Sequence, residues 1–228
     1  MPLIPRPFDY YGPGIELVYS LIVVVSCLLI YFKTKESYKL TAYKGIKYFR
    51  NTFLFFGITY FIRFVLYFVM TRGINPVIFR PFAFGIFEVA FFIMAYASTM
   101  AFIYLIYSIF WKKLGGHFYS NIYLLHAIAF LIALISIMGR MPLIFLAFQS
   151  VLFLLLIIVS FLNYRKTRHK AISQIYLIYL LIFALWIISS ILTFVVYLSP
   201  IIGLIIYIAS IALFLETLFK VLKRLKVK

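Results

Sequence analysis

Apolar residues in this chain come in long unbroken runs rather than in the alternation of a half-buried strand or the one-sided stripe of a soluble helix. Seven runs stand out, at residues 15–32, 52–70, 82–111, 121–138, 142–163, 174–198 and 201–219. A bilayer core about 30 Å thick is crossed by about 20 apolar residues in a helix. Each run is therefore predicted to be a transmembrane helix, the third being long enough to tilt or to project past the bilayer. All eight prolines lie outside or at the edge of a span. The expected fold class is all-α, a polytopic membrane protein of seven transmembrane helices. Its parts are a lead-in at 1–14, a bundle at 15–219 and a basic tail at 220–228.

The polar segments between runs alternate in character. Residues 33–51, 112–120, 164–173 and 220–228 hold most of the 22 Lys and Arg. The other ends carry only Arg6, Arg72, Arg80 and Arg140. Lys and Arg accumulate on the cytoplasmic side of membrane proteins. The expected orientation has the N-terminus outside and the C-terminus in the cytoplasm, as an odd number of spans requires. Tyr38, Tyr43 and Tyr48 suit segment 33–51 to lying along the interface, since a phenol favours the headgroup zone. The outer connections at 139–141 and 199–200 are tight, so they force antiparallel neighbours and leave no room for an outer binding domain. The first three and last three spans repeat one arrangement, each third span opening on a proline and a glycine (Pro81 and Gly85, Pro200 and Gly203). Parallel repeats of this kind occur in small transporters.

Composition sharpens the class. Hydrophobic residues are 66% of the chain and charged residues 12%, against about 25% charged in soluble domains. The mean hydropathy is +1.12. The net charge of +17 would suggest nucleic acid on a soluble protein. Here it follows from topology, and the expected partner is a bilayer with anionic headgroups on the cytoplasmic side. The basic inner segments also offer a docking face for a cytoplasmic protein. The single cysteine, Cys27, excludes an internal disulfide and any Cys-based metal site. No signal-peptide pattern opens the chain. The expected location is a prokaryotic cell membrane.

Candidate chemistry begins with Arg63, set in the apolar stretch YFIRFVLYF. A charge at the membrane centre costs at least about 2.5 to 3.5 kcal/mol unless it is paired. Arg63 lies about 10 Å from the outer end of the second span and Glu88 about 9 Å from the outer end of the third, by helical rise. These depths predict an Arg63–Glu88 ion pair. Polar residues gather in the same outer half: Glu16, Tyr67, Gln149, Thr193, Tyr197 and Tyr207, with Tyr19, Ser20, Thr59, Tyr60, Ser190 and Ser210. Together they predict an outward-facing polar pocket. Glu16, Arg63 and Glu88 would make it net negative, suited to a small cationic or zwitterionic ligand. Single Ser and Thr hydroxyls in membrane helices commonly satisfy a carbonyl of their own helix.

Other chemistries find little support. His126 has no second ligand at metal spacing, so neither a metal nor a cofactor is expected. Residues 201–219 contain no lysine, which excludes a retinal Schiff base. Phosphate loops, HExxH and nucleophile elbows are missing, and the one Asp is Asp9. No enzyme activity is expected. Alternating access through broken helices needs Gly or Pro within spans, and Gly57 is the best candidate for such a break. The favoured reading is a sensor or receptor-like protein. A small-solute or ion transporter is the alternative, followed by a structural or assembly subunit.

Overall fold

The computed structural model describes residues 13–71, 76–110, 122–138, 142–167, 181 and 200–226. Six helices cover them: α1 (Pro13–Thr41), α2 (Lys44–Thr71), α3 (Pro76–Phe110), α4 (Ile122–Met138), α5 (Pro142–Thr167) and α6 (Pro200–Lys226). Each overlaps one predicted span. The predicted span 174–198 lies outside the described residues. Among the described residues, four helical segments are long and apolar enough to cross a membrane: Gly14–Thr41, Lys44–Val69, Gly85–Ser108 and Leu204–Lys223. The protein is therefore all-α with membrane-spanning character.

The distribution of side chains points to the same solvent. On α1 the buried stripe is Glu16, Tyr19, Ser20, Val23, Ser26, Cys27, Ile30 and Thr34, while Val18, Leu21, Val25, Leu28, Leu29 and Phe32 face outward. Small and polar groups turn inward and large apolar groups outward, the reverse of a water-soluble helix. Several of the buried hydroxyls are satisfied within their own helices. Ser20 Oγ donates to Glu16 O at 2.7 Å, Thr34 Oγ1 to Ile30 O at 2.6 Å and Thr99 Oγ1 to Ala95 O at 2.7 Å. Such bonds satisfy the hydroxyl locally at no interhelical gain.

Helix α3 sits at the centre, packing on α2, α4 and α5, while α1 packs on α2 and α6. Its small residues Ala95, Ala97 and Ala101 are buried, as are Ala129 and Ala133 of α4, so backbones approach closely there. One apolar core joins Tyr19, Val23 and Ile30 of α1 with Phe53, Phe102, Phe153, Tyr207 and Phe214. A second lies on the other side of α2, where Met100, Ile103, Tyr104 and Tyr107 meet Leu125 and Ala129, with Tyr48, Phe55 and Tyr96 packed against them.

Two local expectations change. Segment 33–51 does not lie along the interface as one loop. It is helical but for Ala42 and Tyr43, so α1 and α2 form a hairpin that continues past the apolar run of α1. Ala42 turns the chain at a φ of 49°, a left-handed conformation more often given to glycine at a helix end. The Ala42 N–H still bonds Tyr38 O at 2.8 Å. Gly57 is not a break either, because α2 runs through it. A Cβ at Gly57 would lie 3.4 Å from Cys27 Cβ. The glycine lets α1 and α2 approach closely.

Candidate functional site

Arg63 is inside the bundle, and its carboxylate is Glu16 rather than Glu88. Arg63 Nη2 pairs with Glu16 Oε1, the side chains being 21% and 5% exposed. Glu88 is half-buried, beside the exposed Ile86, Phe87 and Val89. The reason lies in helix lengths and rotation. Helix α3 begins at Pro76, not near residue 82, which puts Glu88 about 18 Å along it. Helical phase aligns Arg63 with Phe56, seven residues earlier, and with Tyr60, three earlier. Tyr60 faces α1 and α6, its hydroxyl 3.3 Å from that of Tyr19 and its ring 6.3 Å from Phe214. Arg63 therefore turns toward α1, where Glu16 occupies the first turn. A carboxylate there also suits the positive end of the helix dipole.

Tyrosines enclose the pair. The Arg63 guanidinium lies 5.9 Å from the Tyr67 ring centroid, within cation–π range. Tyr19 meets Tyr60 edge-on at 5.8 Å and Tyr207 at 5.3 Å. Tyr207 lies beside the Glu16 carboxylate, and apart from the ion pair neither buried carboxylate oxygen accepts a hydrogen bond among the described residues. Below Tyr207 on α6, Ser210 is fully buried and its Oγ has no hydrogen-bond partner. The cluster thus pairs one acid with one base under aromatic cover and keeps unused acceptor capacity.

Of the predicted site residues, Arg63, Glu16, Tyr67 and Tyr207 come together. Glu88 does not join the Arg63 ion pair. Gln149 is buried elsewhere, its Nε2 donating to Ser98 Oγ at 2.6 Å and tying α5 to α3. Thr193 and Tyr197 lie outside the described residues. Tyr19 and Tyr60 complete the enclosure. Their spacing from Glu16 and Arg63 within each helix, i+3 and i−3, is the sequence signal that marks them. With Glu88 absent from the pair, Glu16 and Arg63 balance, and the net negative charge expected of the pocket is lost.

A second polar cluster lies on the opposite side of α2. His126 Nδ1 is 2.6 Å from the Tyr96 hydroxyl and Nε2 is 3.3 Å from that of Tyr104. Phe55 stacks on Tyr104 at 5.4 Å. A shallow cavity of about 320 Å³ opens beside it, lined by Phe92, Tyr96, His126, Ala127 and Phe130. With both ring nitrogens taken by tyrosines, His126 serves to lock α4 against α3. Near the C-terminal end of the chain, Lys220 pairs with Glu216 at 2.6 Å, as their i, i+4 spacing predicts.

A protein of Archaeoglobus fulgidus, described as an uncharacterized protein, is 35% identical over 233 residues, covering 98% of this chain and 99% of the relative. The chain belongs to one family with that protein. No family model and no solved structure matches the chain.

Proposed function

We propose that this is a seven-span cell-membrane protein, N-terminus outside, acting as a sensor whose ligand site is the Glu16–Arg63 cluster. The carrying observation is the buried ion pair under Tyr19, Tyr60, Tyr67 and Tyr207, with an acceptor oxygen left over. A small zwitterion fits this chemistry. Its cation meets Glu16 and a tyrosine face, and its anion meets the guanidinium, so one buried pair is exchanged for two. A simple amine offers nothing to Arg63 and is a poorer guest. The pair joins α1 to α2, and the same two helices form the basic hairpin at their other end. A guest that separates Glu16 from Arg63 biases the packing of α1 on α2, which a cytoplasmic partner on that hairpin can read.

Sensing is favoured over transport by the apolar core beside the ion pair. Phe53, Phe56, Phe102 and Phe153 pack there, Phe102 on Phe153 at 4.3 Å. Helix α2 is also unbroken at Gly57. A transporter needs a polar route through this core.

A thermal-shift screen of amino acids, betaines, amines and simple salts on the purified chain tests the reading. A zwitterion is expected to raise Tm for the wild type and not for Glu16→Gln or Arg63→Gln. Stabilisation by amines alone, or hits unaffected by both variants, would count against it.

A further inference from the structure

Helix α2 carries a second arginine that the sensor site does not use. Arg50 lies thirteen residues before Arg63, about 20 Å along the helix. Its guanidinium rests against two rings of α1, 5.2 Å from Tyr31 and 5.7 Å from Tyr38. Its Nε is buried without a hydrogen-bond partner, and among the described residues no carboxylate pairs with it. The acid of this hairpin, Glu36, is engaged with Lys33 at 3.2 Å. A guanidinium has five N–H donors and no acceptor capacity. Held over two tyrosine rings with its buried Nε donor unmet, it is pre-organised for an anion.

Its neighbours extend the same preference. Lys47 lies one turn before Arg50, and Lys35 lies between Tyr31 and Tyr38 on one stripe of α1. Both lysines are exposed. By helical register Lys35 and Lys47 fall near Arg50 along the cleft between α1 and α2, and like charges so placed favour an anion among them. The cleft is level with Tyr31 and Phe32, where the apolar run of α1 ends. In a spanning helix that is the depth of lipid phosphates, and tyrosine rings concentrate there.

We infer that Arg50, Lys47 and Lys35, with the rings of Tyr31 and Tyr38, form a binding site for an anionic phosphate group, supplied by a membrane lipid of the inner leaflet. The flat guanidinium takes two phosphate oxygens, and the lysines add charge that discriminates against headgroups carrying their own cation. This site is separate from the proposed sensor site and stands or falls without it.

Native mass spectrometry of the full-length detergent-solubilised protein tests the assignment, with phosphatidylglycerol, phosphatidylcholine and inorganic phosphate as probes. Phosphatidylglycerol is expected to bind about tenfold or more tightly than phosphatidylcholine, and Arg50→Gln to lose about tenfold or more of that affinity. Arg50→Lys, which keeps the charge and loses the flat fork, should fall between. Displacement of the lipid by millimolar inorganic phosphate would assign the same site to a soluble phosphate. Equal binding of the two lipids, or unchanged affinity in Arg50→Gln, overturns the proposal. If Arg50→Gln does not fold, Lys47→Gln at an exposed position carries the test, with a loss of about threefold expected.

Discussion

Arg63 and Arg50 occupy one helix under opposite terms. Arg63 is enclosed, and a carboxylate from α1 answers its charge. Arg50 also leans on α1, but among the described residues it meets the rings of two tyrosines and no carboxylate. The difference is one of surroundings. A guanidinium deep in the bundle needs a permanent counter-ion, because removing it from water costs several kcal/mol. A guanidinium at the end of the apolar run can draw on headgroups, so the fold need not supply an acid. The same residue type is a structural bolt in one place and an open receptor in the other.

That contrast can be broken at graded points. The largest effect belongs to the enclosed pair: Glu16→Ala or Arg63→Ala should cost about 3–5 kcal/mol, because each leaves a buried charge unanswered. Thermal unfolding of the purified variants measures it. Next comes Gly57→Val, which inserts bulk where α1 and α2 pack closely at Cys27. It should cost about 1–3 kcal/mol by overpacking, and it should also weaken any ligand response at Glu16 and Arg63. Gln149→Leu removes the bond to Ser98 far from both arginines, and a loss of about 0.6 kcal/mol, at most about 1.7, is expected in unfolding experiments. Smallest are Arg50→Gln and Glu88→Gln, each expected to stay within about 0.5 kcal/mol of wild-type stability in lipid-free detergent. A large loss from Glu88→Gln would mean that Glu88 does answer Arg63.

Much of this arrangement can be read from the residues alone. Six of the seven apolar runs coincide with described helices, since a run of that length has few other ways to satisfy its backbone in oil. The burial of Arg63 follows from its neighbours, and the gathering of Glu16, Tyr67 and Tyr207 toward one end of their spans is visible in their positions. Partner choice is harder. Depth arguments depend on where α3 begins, and its apolar pattern does not mark Pro76 as the start. Rotation depends on which helices flank α2, and that is set by contacts distant in sequence. The aromatic rows of α2 make both of its faces look buried, so hydrophobicity could not point Arg63 toward α1. Gln149 shows the same limit: its type marks a polar contact, and only the packing of α5 on α3 reveals Ser98 as the partner. The hairpin of α1 and α2 was masked by its lysines, which read as a loop although they continue two helices.

The central claim is that Glu16 and Arg63 answer each other inside the bundle. The most direct measurement is a double-mutant cycle in thermal unfolding, with Glu16→Ala, Arg63→Ala and the combined variant. The account predicts a coupling of about 2 kcal/mol or more, with the double variant far less damaged than the sum of the singles. Additivity within about 0.5 kcal/mol, alongside strong coupling of Arg63 to Glu88, would contradict it.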